Sequence, residues 1–325
     1  MIKKAFAVGS VLTLLSGFAN AGVIRHDVPD SSYKNLSYQS QFDSVGAVLF
    51  DTNDGGYICS GTVVAKHWVL TAAHCVDEAT SMTFHLPEFN ADRSGILGHK
   101  TYTATSWVAH NNWTGNLIEG WDVGLMYVEE GFDVGPAELY RGSGEAGSVG
   151  THVGYGATGN GNTGANLGAG TRRAGQNVID GMFSTAGTGE QLMWSDFDHP
   201  DPAATDSYGD VYNDWVNFIY GFNDFGFSSD NLALGLEYSI AGGDSGGAVF
   251  IEEAGEFFLA GVHSLGWQIG DNQAGYGNLY ASTRVRDTLD WIDSYIAEEV
   301  PVTSTIALFG AGFMLLGLRR RRQDA

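Results

Sequence analysis

Cysteine, proline and basic residues are scarce in this chain, and their scarcity narrows the class of protein. Only 2 of the 325 residues are cysteine, so at most one internal disulfide can form. Proline occurs only 6 times, while 43% of the residues are hydrophobic and 12% aromatic, a globular rather than a disordered composition. The 16 Lys and Arg residues are outnumbered by 38 Asp and Glu, giving a net charge of −22. Such a surface repels nucleic acid and anionic lipid, so neither is expected as a partner.

The composition predicts an all-β fold. Glycine is abundant, at 46 residues, and together with frequent Thr, Val, Tyr and Trp it suits short strands joined by tight turns. Segments such as Val45–Phe50 are β-branched, short and bounded by turn residues. From Arg284 to Glu298 apolar residues recur every three or four positions, which predicts one amphipathic helix. The Gly-, Asn- and Asp-rich stretch 154–243 is interpreted as an enlarged set of surface loops.

The N-terminus has the three parts of a secretory signal peptide. A basic pair precedes an apolar run from Ala5 to Phe18, and the small residues Ala19 and Ala21 form a cleavage site. The apolar run is short for a membrane-spanning helix, which needs roughly 20 residues. We expect a signal peptidase to remove residues 1–21 and the mature protein to begin near Gly22.

The C-terminus carries a second targeting segment, residues 300–325. An apolar stretch from Ile306 to Leu318 ends in four arginines, which favour the cytoplasmic side of a membrane. This arrangement resembles the PEP-CTERM sorting signals of Gram-negative bacteria, which an exosortase-like transpeptidase cuts. It departs from them because Pro301 is followed by Val302, so a plain transmembrane anchor is an alternative. The predicted location is outside the cytoplasm of a Gram-negative bacterium, with the protein either secreted or held at the membrane or cell surface.

The pentapeptide Gly243-Asp244-Ser245-Gly246-Gly247 predicts a nucleophilic serine. Glycines let the chain bend so that backbone N–H groups point at a developing oxyanion, and the N–H groups of Gly243 and Ser245 would be the donors. Two other interpretations exist, a simple glycine-rich turn and the nucleophile elbow of an α/β-hydrolase.

A base and an orienting acid are found upstream of this serine. Serine needs a base with a pKa near the working pH, and His74 in Thr-Ala-Ala-His-Cys follows a predicted strand. Asp122, in Trp-Asp-Val-Gly-Leu, enters an apolar strand, where a carboxylate is costly to bury without partners. A hydrogen bond to the His74 ring would supply one partner and fix the tautomer of the ring.

Together, the three motifs resemble those of the chymotrypsin family of serine endopeptidases, in the same order along the chain. The elbow interpretation would need His263 as the base and would leave the motif around His74 unexplained, because α/β-hydrolases run Ser, acid, His. The resemblance implies a catalytic triad of His74, Asp122 and Ser245 that hydrolyses polypeptides through an acyl-enzyme without a cofactor or metal.

The resemblance also implies a fold and several supporting residues. We expect one domain over residues 22–299, with two six-stranded antiparallel β-barrels at about 37–140 and 148–283 and a C-terminal helix over 284–298. Cys59 and Cys75 match the family disulfide that flanks the catalytic histidine. Ser264 matches the serine that supports the triad aspartate, and with Gly266 it begins the substrate-binding strand.

One departure from the family concerns activation. In the family, a newly freed amino terminus pairs with the aspartate that precedes the catalytic serine, and this aspartate corresponds to Asp244. The Ile-Val-Gly-Gly activation sequence is absent from this chain. A terminus at Gly22, or one made by cutting after Arg25, could substitute, or Asp244 could be held in another way. The sequence leaves these alternatives open.

Specificity and metal binding are the remaining expectations. In the family that this chain resembles, an acid six residues before the catalytic serine would select Lys or Arg. Ser239 occupies that position here, so we expect a neutral pocket. Glu237 is an alternative, because it would take the same position if the match to the family shifted by two residues. Asp196, Asp198 and Asp201 could hold calcium, but they lack EF-hand spacing and are better interpreted as a solvated acidic loop. A rival from another class is an inactive surface-binding or adhesion protein on the same fold.

Overall fold

The computed structural model describes residues 22–214, 232–269 and 271–297, and these residues are mainly β-structure. Three helices and three sheets are present within those ranges. The helices are α1 Asp30–Ser37, α2 Ala73–Val76 and α3 Leu289–Ile296, and short 3₁₀ turns cover Ser40–Phe42, Leu117–Glu119, Tyr212–Asp214 and Val285–Thr288. The strands are β1 Val23–Ile24, β2 Val45–Thr52, β3 Gly55–Ala65, β4 Trp68–Thr71, β5 Ser81–Phe89, β6 Ile96–Thr103, β7 Ser106–Ala109, β8 Gly124–Tyr127, β9 Glu138–Leu139, β10 Val149–Gly154, β11 Thr158–Asn160, β12 Gly164–Leu167, β13 Arg173–Val178, β14 Gly181–Met182, β15 Leu192–Asp196, β16 Tyr238–Ser239, β17 Ala248–Glu253, β18 Glu256–Trp267 and β19 Leu279–Arg284.

The first large sheet is built from the N-terminal half of the chain. Its seven strands run in the order β6-β5-β2-β3-β4-β8-β7, and neighbouring strands are antiparallel. Strands β2 and β3 form a hairpin in which Val45 pairs with Thr62 and Thr52 with Gly55. β4 then pairs with β8, which brings Thr71 opposite Gly124. This pairing places the segments after Thr71 and before Gly124 side by side.

The second large sheet is built from the C-terminal half. Its main path is β13-β10-β17-β18-β19-β15-β14, and β9 adds an eighth strand in parallel with β18. A small third sheet has the order β12-β11-β1-β16, so the first described strand pairs with strands that are far away in sequence. This third sheet ties the N-terminal segment to the second half of the fold.

A single apolar core joins the two large sheets. Side chains from the first sheet, such as Val48 and Leu125, belong to the same buried cluster as Phe250 and Val262 from the second. Phe42 bridges them, with its ring centroid 5.2 Å from that of Phe250. Burial of this apolar surface is the main force that holds the two halves together.

The predicted class, an all-β fold with two barrel-like units and a short terminal helix, is confirmed. The strand numbers differ from the predicted six per barrel, because one large sheet has seven strands and the other eight. The extra strands include two-residue segments, β9 and β14, which pair at the margins of the second sheet. Helix α1 was not predicted from the sequence.

The interpretation of residues 154–243 as surface loops is wrong for much of that stretch. It contains β13, whose six residues are mostly buried, and β15, whose five residues are all buried. Strands buried on both faces show no alternation of apolar and polar residues, so the pattern that identifies a half-buried strand is missing. Residues 215–231 of this stretch lie outside the described residues.

The C-terminal helix is shorter than predicted. Arg284 ends β19, Val285–Thr288 form a 3₁₀ turn, and the α-helix covers only Leu289–Ile296. Its buried side chains, Trp291 and Ile292, lie in the common core. Glu298 lies outside the described residues, so the predicted end of the helix does too.

The disulfide between Cys59 and Cys75 is confirmed. It joins β3 to α2, the element that carries His74. None of the helices in the described ranges has the length and apolarity to cross a membrane. The predicted signal peptide at 1–21 and the predicted sorting signal or anchor at 300–325 both lie outside those ranges.

A buried ion pair fastens the end of the second sheet to the segment that connects the two halves. The Arg284 guanidinium donates to both carboxylate oxygens of Glu145, at 2.6 and 2.7 Å. The Glu145 side chain is fully buried and that of Arg284 is 5% exposed. Arg284 Nη1 also lies 3.5 Å from carboxylate oxygens of Glu190 and Asp287. Removing Glu145 would leave the buried guanidinium with these two longer contacts in a poorly solvated place.

We predict that Glu145→Gln lowers the free energy of unfolding by about 3 kcal/mol, because Arg284 loses its bidentate partner. Denaturant unfolding followed by tryptophan fluorescence measures this. Asp293→Asn is the matched control, because it breaks the exposed bidentate pair with Arg141 and should cost less than about 1 kcal/mol. Equal losses for the two variants would show that the buried pair does not hold the fold in this way.

Candidate active site

His74 and Asp122 meet because they flank two paired strands. His74 lies in α2, directly after β4, and Asp122 lies two residues before β8, which pairs with β4. The His74 ring Nδ1 is 2.7 Å from Asp122 Oδ2. The backbone N–H of His74 also donates to Asp122 Oδ1 at 2.9 Å. These two contacts fix both the position and the orientation of the imidazole.

A third residue, from the other large sheet, completes the surroundings of the Asp122 carboxylate. Ser264 Oγ, on β18, donates to Asp122 Oδ2 at 2.7 Å. The Asp122 side chain is completely buried, whereas that of His74 is 32% exposed. A buried carboxylate is tolerated when donors surround it, and here they come from both halves of the fold.

The pKa of His74 is raised above its ordinary value. Burial acts to lower the pKa of the imidazole, but the negative charge of Asp122 and the hydrogen bond to it raise the pKa by more. The balance stabilises the imidazolium relative to an isolated histidine. A histidine in this state accepts a proton readily at Nε2 while Nδ1 stays directed at the carboxylate.

Ser245 lies in a turn clamped between the two sheets. Its carbonyl oxygen accepts a hydrogen bond from the N–H of Ser60, on β3, at 2.8 Å. Ser60 Oγ donates to the carbonyl of Gly243 at 3.0 Å. Cys75 Sγ, next to His74 in sequence, is 3.9 Å from the same Ser245 carbonyl oxygen. The serine turn therefore packs against the elements that carry the histidine.

Glycine is required at two positions of this turn. Gly243 and Gly246 have φ angles of +93° and +80°, in the left-handed region that side chains disfavour. At Gly246 an added Cβ would also lie 2.1 Å from Thr71 Oγ1 and 2.3 Å from the carbonyl oxygen of Ser60. Only glycine allows this close approach of the turn to the first sheet.

The backbone N–H groups of Gly243 and Ser245 are available as donors. Within the described ranges neither one donates to another protein group, although the Gly242 carbonyl accepts from the N–H of Ala157 and the N–H of Asp244 donates to the Ala241 carbonyl. Most backbone donors that lie away from water are paired, so two free donors in one turn suit a negatively charged atom that enters the site.

A cavity of about 210 Å³ opens beside Ser245. Two of the predicted substrate-binding residues, Ser264 and Gly266, belong to its lining, and none of the lining side chains carries a charge. The remaining lining residues are Ile240, Ala241, Gly242, Ser245, Trp267, Gln268, Gln273, Ala274 and Asn278.

Ser239 and Glu237, the two residues weighed for specificity, are not part of this lining. Ser239 is 1% exposed in β16, where its backbone pairs with Val23. Glu237 is also 1% exposed, and its Oε2 accepts a hydrogen bond from the N–H of Leu234 at 2.6 Å. The next two residues, Ile240 and Ala241, do line the cavity.

His263, the base that the hydrolase-elbow interpretation would require, is unsuited to that role. It is fully buried, and burial lowers its pKa to about 3. Its ring Nδ1 lies 3.2 Å from the carbonyl oxygen of Asp244, and its Nε2 lies 3.1 Å from His152 Nδ1. His263 belongs to the interior of the second sheet.

One group of potential metal ligands lies close together among the described residues. Cys59, His74 and Cys75 have ligand atoms within 4.8 Å of one another, but both sulfurs are used in the disulfide.

The prediction of a solvated acidic loop is wrong for Asp196 and Asp198, which are 3% and 2% exposed, while Asp201 is exposed. Asp196 directs its N–H to Asp180, and burial together with the Asp196 charge raises the pKa of Asp180 well above its ordinary value.

Two further residues that hold the site were not identified from the sequence. Ser60 fixes the serine turn, and its Oγ also accepts from the N–H of Tyr155 at 2.9 Å. Tyr238 OH donates to Asp244 Oδ1 at 3.3 Å. The only signal available for either of them was the position of Ser60 directly after Cys59. Gly22, which the sequence offered as one possible partner of Asp244, donates its backbone N–H to Asp244 Oδ2 at 2.6 Å.

Comparison with known proteins supports a relationship to chymotrypsin-like endopeptidases. The family profile described as Trypsin matches residues 36–191. Chymotrypsin-like elastase family member 1 of Rattus norvegicus is 30% identical over 76 residues, which make up 23% of this chain and 28% of the relative. Lectizyme of Glossina austeni is 30% identical over 80 residues, 24% of this chain and 28% of the relative. The chain thus spans 28% of the length of these curated relatives.

One solved structure is also similar in shape. Protease Anisep from Arthrobacter nicotinovorans is 15% identical and has a TM-score of 0.47, over 76% of this chain and 91% of that one. At this level of similarity it has no bearing on the roles of individual residues.

We predict that Asp122→Asn lowers the pKa of His74, because the substitution removes the charge that raises it while burial continues to lower it. NMR of the imidazole nitrogens during a pH titration measures this shift. His110 is an internal control, since only burial lowers its pKa and it should titrate as before. An unchanged His74 pKa would mean that Asp122 does not set the charge state of the ring.

Proposed function

We propose that this protein is a secreted serine endopeptidase that uses His74, Asp122 and Ser245 as a catalytic triad. The proposal rests on one observation. His74 and Ser264 both form hydrogen bonds to the buried Asp122 carboxylate, next to the Ser245 turn that Ser60 holds in place. The match to the Trypsin family profile supports the same reaction class.

In the proposed reaction, Ser245 Oγ attacks a peptide carbonyl carbon while His74 Nε2 takes the serine proton. Asp122 keeps Nδ1 protonated and stabilises the imidazolium that forms. His74 then returns the proton to the leaving amine, and the C–N bond breaks to give an acyl-enzyme. Water, activated by His74, adds to the acyl carbon and releases the second product, so no cofactor takes part.

The proposed oxyanion donors are the N–H groups of Gly243 and Ser245. The left-handed turn at Gly243 and the clamp from Ser60 fix this part of the backbone before substrate binds. Donors held in advance stabilise the developing negative charge without reorganising in the transition state, and each one contributes roughly 3 kcal/mol.

We propose that the cavity beside Ser245 receives the side chain before the cleaved bond and prefers neutral residues. Its lining contains no acid that could pair with Lys or Arg, and Glu237 is directed into the protein interior. The residues near its mouth are neutral amides such as Gln268 and Gln273. An uncharged cavity of this size disfavours a charged side chain, which would lose its hydration.

Export belongs to the same proposal. A signal peptidase would remove residues 1–21, and residues 300–325 would either be processed by an exosortase-like transpeptidase or keep the protein at the membrane. An oxidising location suits the Cys59–Cys75 disulfide.

The decisive test is labelling with a fluorophosphonate probe. We predict that the wild-type protein is labelled and hydrolyses unfolded polypeptides, and that Ser245→Ala abolishes labelling and reduces kcat/KM by at least ~10⁴-fold. Ser106→Ala, an exposed serine on β7, is the matched control and should behave as wild type. A folded wild-type protein that resists both probe and substrates would favour the inactive binding or adhesion protein instead.

A peptide panel tests the neutral cavity. We predict that kcat/KM for Ala, Val or Leu before the cleaved bond exceeds that for Lys or Arg by at least ~10-fold, since burying an unpaired charge is costly. Gln273→Glu should raise the relative use of Lys several-fold by adding an acid at the cavity. Gln41→Glu adds the same charge at a remote exposed position and should leave the preference unchanged. Strong wild-type preference for Lys or Arg would contradict the neutral cavity.

A further inference from the structure

His263 holds the Ser245 turn with its backbone and with its side chain. Its N–H donates to the carbonyl of Gly247 at 2.8 Å, and its own carbonyl accepts from the N–H of Gly246, also at 2.8 Å. Its ring Nδ1 lies 3.2 Å from the carbonyl oxygen of Asp244. One residue of β18 therefore contacts the turn on both sides of the serine.

The Asp244 carbonyl belongs to the same peptide group as the N–H of Ser245. The described residues contain no cis peptide bond, and in a trans peptide the carbonyl and the N–H point in opposite directions. A donor that holds the Asp244 oxygen in the interior therefore turns the Ser245 N–H to the opposite side, where it has no partner within the described ranges. One rigid peptide group thus sets the direction of this proposed oxyanion donor.

Two groups donate to the Asp244 carbonyl oxygen, and they differ in what they fix. The N–H of Gly247 donates at 2.7 Å, but it is part of the turn and moves with it. The His263 ring instead belongs to β18, which pairs with β17 on one side and with β19 on the other. The ring is therefore the contact that ties this peptide group to the sheet.

The contact with a carbonyl determines which nitrogen of His263 carries the proton. A carbonyl oxygen can only accept, so Nδ1 is the donor and Nε2 of the neutral ring is an acceptor. His263 Nε2 lies 3.1 Å from Nδ1 of His152, which must then donate. His152 Nε2 is left as an acceptor, and the Tyr280 hydroxyl lies 3.2 Å from it. The three side chains form a network in which every donor points toward the Ser245 turn.

The Tyr280 hydroxyl is able to complete this network. It has a second acceptor nearby, the carbonyl of Tyr238, at 3.1 Å. Asn177 Nδ2 also donates to that carbonyl, at 3.2 Å. The carbonyl therefore keeps a donor when the single proton of the Tyr280 hydroxyl is directed at His152.

Both histidines of the network are neutral. His263 has no exposed surface and His152 is 1% exposed. Burial lowers the pKa of His263 to about 3, and burial together with the neighbouring His263 lowers the pKa of His152 well below its ordinary value. A neutral imidazole carries one proton, so each ring is a donor at one nitrogen and an acceptor at the other.

We propose that His263 is a positioning residue, which directs the Ser245 N–H at the oxyanion by holding the Asp244 carbonyl on the opposite side. The rest of the network, His152 and Tyr280, keeps the His263 proton on Nδ1. His263 is fully buried, so it acts through the peptide group and not on the substrate. This inference deepens the proposed endopeptidase function and rests on it.

The second proposed oxyanion donor, the N–H of Gly243, is held separately. The carbonyl of its peptide group belongs to Gly242 and accepts from the N–H of Ala157 at 2.8 Å. A backbone contact therefore fixes this donor, whereas a side chain fixes the donor of Ser245. Substitution of His263 should disturb one of the two donors and leave the other in place.

The tautomers can be measured in the wild-type protein. We expect NMR of the imidazole nitrogens at neutral pH to show His263 and His152 as neutral rings protonated at Nδ1. His67 is the reference, because its Nδ1 also faces a carbonyl oxygen, that of Val128, at 2.8 Å. A charged His263, or a neutral one protonated at Nε2, would overturn the inference.

Substitutions of His263 separate the role of the donor from packing. His263→Asn keeps an N–H near the place of Nδ1, whereas His263→Gln moves the amide toward the place of Nε2 and His263→Leu removes it. We expect kcat on a neutral peptide substrate to stay within ~5-fold of wild type for His263→Asn. It should fall ~10- to 100-fold for the other two with KM nearly unchanged, because the lost interaction is made only in the transition state.

His67→Leu is the matched control. It removes the same kind of hydrogen bond, from a ring Nδ1 to a carbonyl oxygen, at a position in the first half of the fold, and should leave kcat unchanged. Thermal unfolding verifies that each variant is folded. The comparison of His263→Asn with His263→Gln replaces His263→Leu if that variant does not fold, and the NMR measurement needs no variant.

The outcomes distinguish this inference from the proposed function. A wild-type kcat in folded His263→Gln or His263→Leu would overturn the positioning role and leave the endopeptidase proposal intact. Equal losses of kcat in the Asn and Gln variants would do the same, because the place of the donor would then be irrelevant. If the folded wild-type protein reacts with neither substrate nor fluorophosphonate probe, the endopeptidase proposal itself fails, whatever the tautomers of the two histidines.

Discussion

The buried carboxylate of Asp122 is the interaction on which the rest of the site depends. Its donors are the backbone and ring of His74, from helix α2 next to the first large sheet, and the hydroxyl of Ser264, from the second. A charge with no exposure to solvent is stable only while these donors stay in place. The two halves of the fold must therefore keep one relative position, which is also the position that sets the histidine beside the serine turn.

Asp244 is a second buried carboxylate, and the two acids differ in how their surroundings are completed. The donors to Asp122 come from helix α2 and strand β18. Those to Asp244 come from Gly22, Gly156, Tyr238 and Ala241, so they include the residue just before β1. The same physical problem, a carboxylate out of water, is thus solved by two different sets of donors.

Local sequence predicted well the parts of the site that depend on local chemistry. The contacts of Asp122 with His74 and Ser264 and the Cys59–Cys75 disulfide were expected, and the structure contains them. Each of these residues lies in a short motif that could be identified from local sequence alone. The position of Ser239 outside the cavity lining could not be predicted, since Ser239 lies in β16 through its pairing with Val23, a contact between segments far apart in the chain. Likewise, Asp196 and Asp198 look solvated in sequence, and only the burial of β15 and its neighbours takes them out of water.

By itself the sequence determined the β-rich class, the three motifs, their order and the single possible disulfide, because composition and short-range turn chemistry need no knowledge of distant contacts. Tertiary structure alone decided which carboxylates are buried, which residues line the cavity beside Ser245 and where the Gly22 nitrogen lies. Those features arise where strands from separate parts of the chain pack together, and the free energy of burying a charge depends on every neighbour that packing supplies.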